Sequence, residues 1–250
     1  MQTPSHIQDL IDRGALFAVN HSAGKDSQAM LLVLRQYGIP DSQILIVHAD
    51  LGEVEWKGNI EHIEKNSFGL PLIKAKAVKS FFDMVEHRGM FPSPSHRQCT
   101  SDLKRGPIER ELRRHLKENP RYGGLIVNCM GMRAQESSAR AKKQSFKLSA
   151  KNSKAGREWY DWLPIHDLSA NDVFDVIRNA GQDPHWAYAK GMSRLSCCFC
   201  IMASKSDLTI AAQENPDLYR KYVDLEKRTG HTMSMSQKGL EEITGIKANV

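Results

Sequence analysis

The run Ser22-Ala23-Gly24-Lys25-Asp26-Ser27 sets small residues ahead of a lysine, with an acid and a hydroxyl behind it. Small side chains let a backbone curl until its N–H groups face an anion, and a helix N-terminus adds its dipole to the attraction. Lys25 brings a point charge for a phosphate and Ser27 a hydroxyl donor. The run is not a Walker A loop, because the glycine needed five positions before Gly24 is Val19, and Asp26 follows Lys25. A second set with chemistry is the thiols. Ser196-Cys197-Cys198-Phe199-Cys200 packs three into four positions, with Cys197 and Cys200 in CxxC spacing, and Cys99 lies far upstream. Clustered cysteines in a reducing compartment read as a metal or redox site, and soft thiolates select iron–sulfur or zinc. Cys129, inside LIVNCM, reads instead as a buried strand residue.

These groups need elements to hold them. Ala15–Val19 reads as a buried strand and Ala29–Tyr37 as a helix, so SAGKDS falls at a strand-to-helix turn. Ile44–Val47 is a second strand, followed by a helix around 54–66, and 71–74 is a short strand. Pro107 opens a helix carrying Ile108, Leu112 and Leu116 on one face. Leu125–Met130 and Trp159–Leu163 read as further strands, and Ser169 starts a helix over 171–179. Alternating β and α elements predict an α/β fold with an open parallel sheet and helices on both faces. From about 204 the chain reads as helical. The predicted organisation is a nucleotide-binding α/β domain over 1–190, and a cysteine segment with C-terminal helices packed on it over 191–250.

SAGKDS after a buried strand resembles the SGGKDS pyrophosphate loop of the adenine-nucleotide alpha hydrolases. That superfamily takes in N-type ATP pyrophosphatases, tRNA thiolation enzymes and sulfonucleotide (PAPS) reductases. Ala23 stands where the usual second glycine would be. The resemblance implies that Ser22, Ala23, Gly24, Lys25, Asp26 and Ser27 bind a pyrophosphate, with Lys25, Asp26, Ser27 and Arg133 catalytic. Three more segments resemble the PAPS reductase-like branch and extend the likeness over about 15–205. His48-Ala49-Asp50-Leu51-Gly52 is similar to its D-T-G turn. An acid at the carboxyl end of that strand can reach a ribose or a magnesium ion, the lesser alternative being that Asp50 caps the helix that follows. CTSDLKRGPI, Cys99 to Ile108, is similar to its cysteine- and lysine-bearing segment. Gly131-Met132-Arg133-Ala134-Gln135-Glu136-Ser137 resembles its G-x-R-x-x-E-S motif, which adds Gly131, Arg133 and Glu136 to the implied nucleotide site.

The same branch joins a distant cysteine to a C-terminal CxxC to hold a [4Fe–4S] cluster, which here implies Cys99, Cys197, Cys198 and Cys200. The pattern departs from the cluster-binding reductases, since Gln98 precedes Cys99 and the cysteine doublet is at 197–198. The fourth ligand is therefore Cys198 or is absent, leaving an open iron, and Zn2+ stays as the alternative to iron.

Charge points to a partner. The 250 residues carry a net +6, yet residues 133–157 alone carry +7, with eight Lys and Arg against Glu136. Concentrated positive charge favours a polyanion. No apolar run approaches the roughly 18 residues of a membrane helix, and the first residues do not read as a secretory signal. The expectation is a cytoplasmic protein with no membrane partner.

Among the 250 residues no cysteine follows Cys200, so a sulfonucleotide reductase would lack its usual nucleophile unless a cluster cysteine served. The ATP reading needs only ATP with Mg2+ and an acceptor oxygen that attacks the α-phosphate. The combination most resembles the ATP pyrophosphatase of DNA phosphorothioation systems, partnered by nucleic acid (DNA ahead of tRNA) and by a cysteine desulfurase as sulfur donor. Sulfonucleotide reduction, tRNA thiolation and a non-catalytic nucleotide-binding module remain as alternatives.

Overall fold

The computed structural model describes residues 3–249. Six strands, β1 (Leu16–Asn20), β2 (Ile44–Asp50), β3 (Leu72–Lys76), β4 (Leu125–Met130), β5 (Phe146–Leu148) and β6 (Glu158–Trp162), form one sheet in the order β3-β2-β1-β4-β6-β5. β1 pairs parallel with β2 and β4, and β4 parallel with β6. The apolar run from Leu16 to Val19 is fully buried, as a central parallel strand covered on both faces must be. β5 runs antiparallel to β6 at the sheet edge, with Phe146 stacked on Tyr160 at 5.0 Å. It lies inside the basic segment, where the sequence shows no strand, because three residues with two side chains exposed carry no readable pattern.

The helices are α1 (Ser5–Asp12), α2 (Lys25–Gln36), α3 (Asn59–Lys65), α4 (Phe81–Arg88), α5 (Gln98–Thr100), α6 (Gly106–Glu118), α7 (Ser138–Ala141), α8 (Ala170–Asn179), α9 (Lys205–Glu214), α10 (Pro216–Thr229) and α11 (Leu240–Thr244). Between α5 and α6 the backbone takes a π-helical turn, Ser101–Arg105. Ser169 and Asp172 close a capping box on α8, and Ser80 and Asp83 do the same on α4. α2 begins four residues before the apolar periodicity does. Lys25, Asp26 and Ser27 are thus its first turn and not a loop ahead of it.

Two compact units divide the chain. The first runs to His48 and adds Ile60–Lys74 and Ile108–His185; the second gathers Ala49–Asn59, Ala75–Pro107 and Trp186 onward. The sequence-based boundary at 190 takes in most of the second unit's C-terminal part, but not its two earlier segments. Those segments join through tertiary contacts: Cys198 N donates to Val54 O at 2.9 Å, and Phe81 stacks on Tyr222 at 5.4 Å. That unit has its own apolar core, including Trp56, Val85, Phe199, Tyr219 and Leu225. No helix among the described residues is long and apolar enough to cross a membrane.

Candidate functional site

β1 has β2 on one side and β4 on the other, so the strand order reverses between β1 and β4. Open α/β sheets bind ligands outside the carboxyl ends of their strands at such a switch point. Both strands end together, Asn20 opposite Met130, and Asn20 Nδ2 ties them by donating to Cys129 O at 2.8 Å. The segments that leave them are His21–Gly24 and Gly131–Arg133. They touch closely: a Cβ on Gly131 would stand 3.1 Å from the carbonyl carbon and oxygen of Asp26 and from Ser27 N. A glycine there lets the second segment lie against the first turn of α2.

The turn is held from within. Ser27 Oγ donates to Gly24 O at 2.8 Å and accepts from Ser22 N at 3.1 Å. Ser27, expected as a phosphate donor, therefore spends its proton on the loop itself and acts as a brace. Ala23 adopts φ +62°, the left-handed conformation that the second glycine of the resembled loop would take without strain. Its N–H donates to His21 Nδ1 at 3.1 Å. His21 O in turn accepts from His48 Nδ1 at 2.8 Å. Burial, with the neighbouring His62 and His48, lowers the His21 pKa to about 3, so its ring is neutral and can accept that bond. His21 was missed by sequence reasoning, since only its place between strand and loop could have marked it.

Two cations converge on one acid. Arg133 Nε donates to Asp26 Oδ1 at 2.6 Å, and Lys25 Nζ pairs with Asp26 Oδ2 at 3.0 Å. Both cationic side chains are only 6% exposed. Arg133 is further fixed by Gln135 Oε1 at 2.9 Å, and Gln135 Oε1 also accepts from Ala170 N at the start of α8. Glu136 Oε2 accepts from Arg133 N at 2.9 Å and its carboxylate pairs with Arg140. Glu136, expected at the nucleotide, is in these contacts a support for Arg133. Ser22 and Gly24 complete the turn, with Gly24 the extended N-cap of α2.

Asp50 lies in the second unit, at the end of β2, where its Oδ1 accepts from Gly52 N at 2.9 Å in a turn cap. It borders a cavity of about 340 Å³ together with Lys76, Lys79, Ser80 and Asp83.

The thiols divide. Cys198 is fully buried in the apolar core of the second unit, and burial pushes its pKa far up. Cys99, Cys197 and Cys200 are half-buried and share the field of Lys104, which sits on the π-helical turn. Burial raises the Cys99 and Cys197 thiols, and Lys104 opposes it. The Lys104 ammonium is held above its usual range, first by Cys197 and then, against its own burial, by Cys200 and Cys99. The buried Tyr222 hydroxyl, within the field of all four thiols, has no hydrogen-bond partner among the described residues. As the side chains stand, no group of three or more His, Cys, Asp or Glu among the described residues could hold a metal ion. Cys198, expected among the ligands, is turned to the core.

The basic segment 133–157 also divides. Arg133 faces α2, Arg140 pairs with Glu136, and Lys151 with Glu109 at 3.1 Å. Lys142, Lys143, Lys147 and Lys154 are exposed.

The model of the phosphoadenosine phosphosulfate reductase domain family matches residues 17–203. An uncharacterised protein of Methanocaldococcus jannaschii is 25% identical over 229 residues, 86% of this chain and 49% of that protein. An uncharacterised 37.8 kDa protein of Escherichia phage 186 is 30% identical over 147 residues, 59% of this chain and 42% of that protein. The chain thus spans about half the length of these curated relatives or less. Among solved structures, Candida glabrata FMN adenylyltransferase is similar with a TM-score of 0.48 and 14% identity, covering 77% of this chain and 62% of that one. The phosphate complex of phosphoadenylyl-sulfate reductase from Candida auris gives a TM-score of 0.46 and 13% identity, over 79% of this chain and 96% of that one.

Proposed function

Since this chain belongs to the phosphoadenosine phosphosulfate reductase domain family, we propose that it is an ATP pyrophosphatase that adenylates a nucleic-acid acceptor for sulfur incorporation, as in DNA phosphorothioation. The observation that carries this reading is the convergence of Lys25 and Arg133 on Asp26 at the N-terminus of α2, beside the strand switch point. Without a ligand, the two cations hold one Asp26 oxygen each. A pyrophosphate brings more negative charge and meets the N-terminal end of α2, where the helix dipole favours an anion. Lys25 and Arg133 then offset the charge that develops on the leaving group while Asp26 keeps both side chains in place. Ser27, His21 and Gly131 hold the turn's shape, so little reorganisation is needed as charge develops.

Magnesium, bound with ATP, supplies further positive charge at the phosphates. Asp26 meanwhile keeps one oxygen on each of the two cations. In this reading an iron–sulfur cluster would draw together thiols of the second unit that, as they stand, form no metal site among the described residues. Cys99, Cys197 and Cys200, which share the field of Lys104, would hold it, and Cys198 belongs to the core. Such a cluster would supply a soft site to carry sulfur. In this reading DNA is the acceptor ahead of tRNA, a cysteine desulfurase gives the sulfur, and the reaction takes place in the cytoplasm.

The family match itself favours a second reading, reduction of PAPS or a related sulfonucleotide. One comparison separates the two. The protein is assayed with ATP, a sulfur donor and DNA or tRNA, and in parallel with PAPS and thioredoxin. AMP and pyrophosphate formation that disappears in Lys25→Ala supports the proposal. Sulfite release in the second assay assigns the chain to the reductases. Nucleotide binding without turnover in either assay leaves a binding module.

A further inference from the structure

A second cluster of cationic side chains lies in the first unit, away from α2. An open cavity of about 580 Å³ is lined by Arg113, Arg114 and Lys117 of α6 and by Arg157 just ahead of β6. Gly124 and Gly156 also line it, and no acidic side chain is among its lining residues. Gly124 precedes β4 and Arg157 precedes β6, so the cavity sits at the amino ends of these strands, whereas Lys25 and Arg133 sit at carboxyl ends.

The fold builds this cavity closely. A Cβ on Gly124 would stand 2.5 Å from Gly156 O, so the two backbones touch there. Glu158 N donates to Gly124 O at 3.0 Å, opening the β4–β6 ladder. Asn152 and Lys151 reach Glu109 at 3.3 and 3.1 Å and tie the 149–157 turn to α6. The charges are unevenly matched. Arg113 pairs with Glu109 at 3.7 Å, and Arg114 with Glu111 at 2.5 Å and Glu118 at 3.9 Å. Lys117 and Arg157 have no carboxylate partner among the described residues, and the buried Arg157 Nε has no acceptor.

A cavity lined by four cationic side chains and by no acidic one calls for an oxyanion. We propose that this cavity binds a phosphate of a nucleic-acid backbone. The polymer is favoured over a free phosphate because Lys154, exposed and three residues before Arg157, adds positive charge on the chain segment that leads into the cavity. The proposal rests on the nucleic-acid acceptor of the preceding section for the class of ligand, and on the cavity alone for its place.

The test measures binding of a fluorescent DNA oligonucleotide, single-stranded and duplex, across a salt series. The parent is compared with Lys117→Glu and Arg157→Gln. Each lost phosphate contact should make the log–log salt slope shallower, by about 0.7 for a single strand and about 0.9 for a duplex. Pyrophosphate release from ATP without acceptor should be unchanged in both variants. Lys117 is exposed, so Lys117→Glu reports on the cavity even if Arg157→Gln loses its fold. Parent-like affinity and slope in a folded Lys117→Glu would overturn the proposal. So would loss in the variants of a thermal shift by inorganic phosphate while oligonucleotide binding stays intact, which would make the cavity a small-phosphate site. Oligonucleotide binding that depends on Lys117 in a protein with no ATP turnover would refute the enzymatic reading and leave this one standing.

Discussion

Arg133 reaches back 107 residues to donate its Nε proton to Asp26 at 2.6 Å. The contact links the segments that leave β1 and β4, and it joins a cation expected at a phosphate to an acid expected to do chemistry. In the structure Asp26 is the anchor that these two buried cations share.

Removing that anchor should expose its cost. Asp26→Asn leaves Lys25 and Arg133 without their compensating charge, and breaking a buried pair costs about 3–5 kcal/mol. At roughly 2–4 °C per kcal/mol for a protein of this size, the thermal midpoint should fall by about 10 °C. Added pyrophosphate should then raise the midpoint more in the variant than in the parent, because it supplies the missing negative charge. Equal shifts in the two proteins would show that pyrophosphate does not meet these cations.

Gly131→Ala tests the close approach. Its Cβ would press on Asp26 and Ser27 from 3.1 Å, and backbone atoms cannot swing aside. A loss of about 1–3 kcal/mol is expected, as for overpacking elsewhere. Weaker nucleotide binding should accompany it, read by calorimetry with a non-hydrolysable ATP analogue. Affinity equal to the parent's would mean that the turn at α2 is not where the nucleotide sits.

Acid should loosen the same turn through His21. Its folded-state pKa is about 3, below the ordinary histidine value of about 6.5. The folded protein therefore binds fewer protons than the unfolded chain between those values. The stability from a neutral His21 is complete above about pH 6.5 and is lost as pH falls toward 3. The thermal midpoint of the parent should drop more steeply from about pH 7 to about pH 4.5 than that of His21→Asn. Parallel curves would count against the buried neutral ring.

The cysteines should separate by assay. Protein isolated without oxygen should be brown and contain iron and sulfide. Cys99→Ser and Cys200→Ser should lose the colour and keep their fold, whereas Cys129→Ser should keep it. Cys198→Ser should instead lose about 1–3 kcal/mol, because a hydroxyl without a partner is buried in the core. Loss of iron in Cys198→Ser without loss of stability would restore it to the ligands. A colourless protein with one tightly bound zinc would exclude the cluster.

What the sequence determined by itself is local. Small residues before Lys25, apolar runs such as Leu125–Met130 and the Ser169–Asp172 box act within a few residues of themselves. Their conformations follow from side-chain type and spacing, so β1, β2, β3, β4 and β6, helices such as α6 and α8, and the position of the turn ahead of α2 could be read directly. The density of thiols at 197–200 was equally visible.

Only tertiary structure decided which groups meet. Nothing near Asp26 in sequence announces Arg133, and the spacing of Cys197, Cys198 and Cys200 does not say which one turns into the core. Cys198 is buried there because its backbone N–H is fixed to Val54 O, a partner more than a hundred residues away. The second unit is invisible as a segment because its core draws Trp56, Phe81 and Tyr222 from three separate stretches of chain. Burial of apolar area has no direction along the chain. It therefore selects long-range neighbours that no local pattern records, and the chemistry of this protein rests on those neighbours.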